Sequence, residues 1–312
     1  MEKSKVLSKN YILAILMICS QLMIAQINSF QRRIEVVDST NFNRVREMPV
    51  ALEIKNNEIY IGGSMVVANV NDSQDLMMVR VDASGNVLNS SLLATSAREL
   101  GQSMTIHPNG DSIVIAGMSR HSNRNVPTIW VYNLSSQNFE TNEELFQFDN
   151  NSMIRDIATH RNGDSLITTG SIHHGTHGMQ SFHFGTIPNS LNASNYKSLQ
   201  PDNVSNRMYG NSIAQSSSRN ESYIVGYVVG NGNDGFYCKL DSNNQVIDYS
   251  TYRIQGANTN CKIIFRSITP ILDSSQFIAV GSTDNCNGSS GLGDRDAIVM
   301  RLDSSGNVLF SQ

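Results

Sequence analysis

One type of segment recurs along the chain at a nearly constant step, and this limits the fold more than any other feature. DLMMVRVDASGNV begins at Asp75, DGFYCKLDSNNQV at Asp234 and DAIVMRLDSSGNV at Asp296, with weaker copies TIWVYNLSSQNF at Thr128 and SFHFGTIPNSL at Ser181. The starts at 75, 128, 181 and 234 are 53 residues apart, and the last interval of 62 implies an insertion of about nine residues in the fifth unit. A second marker keeps a similar step: EIYIGG ends at Gly63, SIVIAG at Gly117, SLITTG at Gly170, SYIVG at Gly226 and QFIAVG at Gly281. Repetition at this length means stacked supersecondary units that bury their apolar faces against each other.

Within each unit the apolar residues alternate with polar ones, and four short strand signals follow one another, separated by Asp/Ser/Asn/Gly turns. Four antiparallel strands in about 50 residues is the blade of a β-propeller, whereas solenoid coils are shorter and sandwich domains longer. Met48 to Gln312 spans 265 residues, five times 53. The fold class is therefore all-β, a propeller of about five four-stranded blades over residues 48–100, 101–153, 154–208, 209–264 and 265–312. Composition agrees: 16% of residues are charged, against about 25% in ordinary domains, and 35 Asn, 41 Ser and 22 Gly supply the turns. Residues 27–37 (INSFQRRIEVV), within a leading segment 26–47, read as a strand that could complete the last blade and close the ring; the alternative is an incomplete ring or a fragment of a longer protein with further domains.

The units resemble the repeats of secreted bacterial β-propellers of the Bacteroidetes exported type. PNGDSIVIAG, RNGDSLITTG and the LDSSGNV run at Leu302 carry the resemblance, which covers nearly the whole chain after its leader. It implies an exported propeller and says almost nothing about activity. Asp38-Ser39-Thr40, Asp111-Ser112-Ile113 and Asp164-Ser165-Leu166 also resemble the O-glycan acceptor pattern of such proteins.

Lys3, Lys5 and Lys9 precede an apolar run from Tyr11 through Ile18, the order of a secretory signal, here assigned to residues 1–25. Lipidation at Cys19 is the rival processing. The apolar run is shorter than the roughly 20 residues of a membrane span, so a secreted or outer-surface location without a membrane span is expected. Without residues 1–25 the chain holds 20 basic and 26 acidic residues, a net charge of −6, and no basic cluster that would hold nucleic acid. Of the remaining cysteines, Cys261 and Cys286 fall in two loops on the same face of unit five and are expected to form a disulfide, leaving Cys238 as a buried strand thiol.

Alignment on the recurring glycine places Met48, Gln102, Arg155, Asn211 and Arg266 at one position at the start of the innermost strands, where Gln102, Arg155, Asn211 and Arg266 would line the channel mouth and hold an anionic or hydroxyl-rich ligand. Glu47, Glu99 and Asp156 lie near the same strand starts and are the candidates for a glycosidase acid–base pair, which requires two carboxylates about 5–10 Å apart. His121, with His173, His174 and His177 of SIHHGTHGM, could bind a transition metal. His107 and His160 recur in matched turns and read as structural. The Asp82 and Asp303 turns offer one carboxylate each, fewer than a calcium loop uses. No cofactor is implied. The leading expectation is a non-enzymatic propeller that binds a glycan, peptide or cell-surface component or acts as a spacer; the alternative is an extracellular polysaccharide hydrolase or lyase using inner-strand carboxylates.

Overall fold

The computed structural model describes residues 45–67, 74–95, 97–121, 124–144, 152–160, 163–174, 179–188, 195–199, 207–216, 220–229, 234–254, 261–271, 275–284, 286 and 296–312. The signal segment, Cys19, residues 26–44 and His177 lie outside them.

Among the described residues, twenty strands form five antiparallel sheets of four. The first sheet contains β1 (Val45–Lys55), β2 (Glu58–Val67), β3 (Gln74–Asp82) and β4 (Val87–Leu93), and the second β5 (Arg98–Ile106), β6 (Ser112–His121), β7 (Arg124–Asn133) and β8 (Asn138–Glu144). The third contains β9 (Met153–Thr159), β10 (Ser165–His174), β11 (Met179–Pro188) and β12 (Asn195–Leu199), and the fourth β13 (Arg207–Gln215), β14 (Ser222–Val229), β15 (Asp234–Leu240) and β16 (Val246–Tyr252). The fifth is β17 (Lys262–Pro270), β18 (Gln276–Asp284), β19 (Ala297–Asp303) and β20 (Val308–Ser311). Each sheet runs in sequence order from first to fourth strand, so every connection is local. This is a propeller of five blades.

The turns follow from their residues. Asp82 Oδ1 accepts the backbone N–H groups of Ser84 and Asn86 at 2.8 Å, and Asp303 Oδ1 accepts those of Ser305 and Asn307 at 2.8 and 2.9 Å. Gly85 and Gly306 then take positive φ, 80° and 75°, which a side chain would resist. The DxSGN run is thus a side-chain-capped hairpin. In the matched turns, the Gly110 and Gly163 N–H groups donate to the carbonyls of His107 and His160, both buried.

Among the described residues, four apolar cores fill the spaces between successive sheets. Tyr60, Leu76 and Met78 meet Met104, Ile115 and Trp130 between sheets one and two, and Tyr223, Val225 and Tyr237 meet Phe265, Phe277 and Met300 between four and five. Strand β3 is therefore buried on both faces, the reason its sequence is a nearly continuous apolar run. The cations that recur in third strands are drawn to the second: Arg80 pairs with Glu58, Lys239 with Glu221 at 3.0 Å, and Arg301 donates to Gln276 at 2.7 Å. Among the described residues the first and fifth sheets do not pack closely on each other, and Leu52, Ile54, Val280 and Val299 keep exposed apolar surface.

The Cys261–Cys286 disulfide ties the residue before β17 to the loop after β18, with Cα atoms 4.2 Å apart. Cys238 is a buried free thiol.

Candidate functional site

Consecutive first strands, β1, β5, β9, β13 and β17, lie side by side toward the interior, and each sheet has a register shift between its first two strands. In β5 pairing passes from Gly101 to Ser103 and in β13 from Gly210 to Ser212; in β17 it passes from Phe265 to Ser267 and in β9 from Ile154 to Asp156. The residue left over is Gln102, Asn211, Arg266 and Arg155 respectively. A β-bulge re-aims the extra side chain, so these four share one structural device.

Opposite the bulges stand the marker glycines. A β-carbon on Gly117 would collide with the Leu100 carbonyl, on Gly226 with that of Tyr209, and on Gly281 with that of Ile264. The recurring glycine is the space into which the bulged strand's backbone bends.

Two sequence expectations need correction here. The bulges lie within the strands rather than at their starts: Gln102, Asn211 and Arg266 are each the fifth residue of a nine-residue strand. Met48 is also not the first-sheet equivalent, because there pairing passes from Pro49 to Ala51 and the bulged residue is Val50. The glycine pair-mates are 16 residues apart in Gly101/Gly117 and Phe265/Gly281 but 14 in Pro49/Gly63. Asn56 and Asn57, both at positive φ, close β1 and β2 with a two-residue hairpin turn, and this shorter turn moves the alignment by two.

The residues after the bulges in sheets two to four form a polar chain that reaches sheet five through the Ile268 N–H. Asp156 Oδ1 accepts the Ser103 hydroxyl at 2.5 Å and the Ile157 N–H at 2.9 Å, and Oδ2 accepts the Ser212 hydroxyl at 2.8 Å and the Ile213 N–H at 2.9 Å. Ser212 Oγ in turn accepts the Ile268 N–H at 3.3 Å. Desolvation raises the Asp156 pKa, against the pull of these four bonds. Glu99 is fully buried, accepting the Thr95 hydroxyl on Oε1 and the Ser119 hydroxyl on Oε2, each at 2.6 Å. Glu47 and Glu99 hold matching positions, opposite Met65 and Ser119, whereas Asp156 sits beside a bulge. The three carboxylates therefore do not share one position: Asp156 ties sheets two, three and four together, whereas Glu99 holds the segment that leads into β5 against β6.

Sheets three to five bring a different group together. Tyr209 and Tyr227, paired across β13 and β14, stack with ring centroids 4.6 Å apart and planes 6° from parallel. The Arg155 guanidinium reaches over from sheet three to lie 5.4 Å from the Tyr209 centroid. Burial lowers the Arg155 pKa from its usual value and Arg266 adds to this, while Tyr227 and Tyr209 oppose it; an arginine stays protonated regardless. Burial raises Tyr227, with Arg155 and Arg266 pulling the other way. Asn211 donates to the Phe265 carbonyl at 2.6 Å, fastening sheet four to the Arg266 bulge. Among the described residues, its buried Oδ1 and the Nε of Arg155 have no hydrogen-bond partner. Sequence reasoning found Arg155, Asn211 and Arg266 but missed the tyrosines, which directly flank the glycines at Gly210 and Gly226.

Among the described residues no group of three or more His, Cys, Asp or Glu side chains could hold a metal. His121 Nε2 instead lies 2.7 Å from Glu144 Oε1 within sheet two. His173 and His174 end β10, opposite Gln180 and Met179; their side chains are not described. No helix among the described residues is long and apolar enough to cross a membrane.

No family model matches the chain, and no curated protein matches it. Solved structures do. A polysaccharide lyase, Uly1, is 10% identical with a TM-score of 0.50, covering 91% of this chain and 76% of its own. The GH43_1 enzyme from Xanthomonas citri in complex with xylose is 12% identical with a TM-score of 0.49 over 84% and 89% of the two chains. A periplasmic gluconolactonase of Pseudomonas aeruginosa is 9% identical with a TM-score of 0.47 over 85% and 84%. The likeness at these identities is one of propeller fold. Most of the solved structures matched are named as glycoside hydrolases or a polysaccharide lyase, which runs against the expected non-enzymatic binding or spacer module; the likeness itself shows the fold alone. The disulfide accords with a location outside the cytoplasm.

Proposed function

We propose that this chain is an exported carbohydrate-active enzyme that cleaves a polysaccharide held against the inner strands of sheets three to five. The observation that carries this reading is the Arg155, Tyr209, Tyr227 and Arg266 group, with the unpartnered polar atoms of Arg155 and Asn211 beside it. Aromatic rings with a few convergent polar groups are the usual make-up of a ligand site, and a buried donor or acceptor without a partner is costly until a ligand supplies one. The propeller shared with a polysaccharide lyase supports the same class of substrate.

Hydrolysis by the inner-strand carboxylates fits less well. An acid–base pair needs one carboxyl free to exchange a proton with the glycosidic oxygen. All of the hydrogen bonds found at Asp156 and Glu99 come from the protein's own hydroxyls and amides. Secretion or display at the outer surface belongs to this reading, since a polysaccharide too large to enter a cell is met outside it.

The experiment is incubation of the purified chain with a panel of neutral and acidic polysaccharides, following both new reducing ends and the ultraviolet absorbance of unsaturated products. Release of either from at least one polysaccharide supports the proposal. Binding without any cleavage across the panel overturns it.

A further inference from the structure

Most cations whose partners are resolved sit against a carboxylate of the protein: Arg80 on Glu58, Lys239 on Glu221, Arg253 on Asp234. Arg155 and Arg266 break this habit. They hold matched bulge positions on β9 and β17, the first strands on either side of β13, and no ion pair to either is found among the described residues. The chain is acidic overall, with 27 Asp and Glu against 23 Lys and Arg, so carboxylates are not scarce, yet none among the described residues pairs with these two arginines. Two like charges held together by separate bulges leave a position for an external anion.

The geometry narrows what that anion is. Arg155 is aligned over the Tyr209 ring, which in turn stacks on Tyr227, so its planar donor fork is held in one orientation with Nε unused. A planar fork matches a planar carboxylate through two parallel hydrogen bonds. Asn211, pinned by its bond to the Phe265 carbonyl, presents a buried acceptor oxygen without a donor, which suits a hydroxyl. A carboxylate and a hydroxyl on one small rigid ring describe a uronic acid unit.

We infer that the inner faces of sheets three to five form a uronate subsite in which Arg155 and Arg266 take the sugar carboxylate and Asn211 accepts one of its hydroxyls. This rests on the polysaccharide reading and names its substrate class: an acidic polysaccharide built from uronate units.

The test uses tetrasaccharides of galacturonate, glucuronate and mannuronate, each as the free acid and as its methyl ester, titrated calorimetrically into the full chain. Binding of at least one acid, with its ester at least about tenfold weaker, is expected, that being the worth of one charged hydrogen bond. Arg266→Gln should weaken the acid by a similar factor and leave the ester unchanged. Arg266 is exposed, so this variant should fold normally, and Arg155→Gln gives a second reading. Failure of all three acids to bind, equal binding of acid and ester, or unchanged affinity in Arg266→Gln overturns the inference. Cleavage of a neutral polysaccharide without acid binding would sink the subsite and leave the enzyme standing, whereas acid binding without any cleavage would do the reverse.

Discussion

Ser212 of sheet four donates its hydroxyl to Oδ2 of Asp156 in sheet three at 2.8 Å, while Ser103 of sheet two donates to Oδ1 of the same carboxylate at 2.5 Å. One aspartate therefore links three blades. Asp156→Asn keeps the shape but turns one acceptor into a donor facing hydroxyl and N–H donors. Loss of roughly 2–4 kcal/mol of stability is expected from unmet and opposed hydrogen bonds, measured by denaturant unfolding, with Ser103→Ala costing less.

The same carboxylate gives a pH dependence with a definite sign. Desolvation raises its folded pKa above the ordinary 3.8, so in that window the folded state holds more protons than the unfolded chain. Its contribution to stability is then full at pH below 3.8 and declines as pH rises through the raised folded value. The difference in unfolding free energy between wild type and Asp156→Asn, followed from acid to neutral pH, should show this fall. A difference that grows in favour of wild type with rising pH would mean that the four hydrogen bonds outweigh desolvation.

The marker glycines separate two kinds of constraint. Gly226→Ala puts a methyl group into the Tyr209 carbonyl and the Phe236 ring, so the bulge must straighten, and a cost of at least about 3 kcal/mol is expected from overpacking and lost pairing. Gly163→Ala meets no atom within 4 Å, but its φ is +66°, so about 1–2 kcal/mol of backbone strain is expected alone. Thermal unfolding of the two variants checks the ranking.

Cys261→Ser with Cys286→Ser opens a covalent link across 25 residues, worth roughly 3 kcal/mol by loop-closure entropy. Intact mass after alkylation of the non-reduced native protein should show the bridge kept. Cys238 should label only on unfolding, because burial pushes its thiol up to about 12 and closes off access.

The repeat made the blade number and strand order readable, because each strand's apolar alternation and each turn's Asp or Gly is a local requirement. Cys261 and Cys286 were pairable because the blade topology puts both loops on one face. The site was only half legible. Gly226 shows its recurrence in sequence, but not that the Tyr209 carbonyl needs its space. Met48 was misplaced because two asparagines shorten one turn, and Asp156 looked catalytic until its four donors, from sheets two to four, were brought around it. Tyr209 and Tyr227 gave no signal: they lie 18 residues apart and meet only through the register of β13 and β14.

The most direct test of the account is kcat/KM of Arg266→Gln against wild type on whichever polysaccharide the chain cleaves, with the melting temperature measured on both. A fall of at least about tenfold, the worth of one charged hydrogen bond, with an unchanged melting temperature is expected. Unaltered kcat/KM, or no polysaccharide cleaved at all, would contradict it.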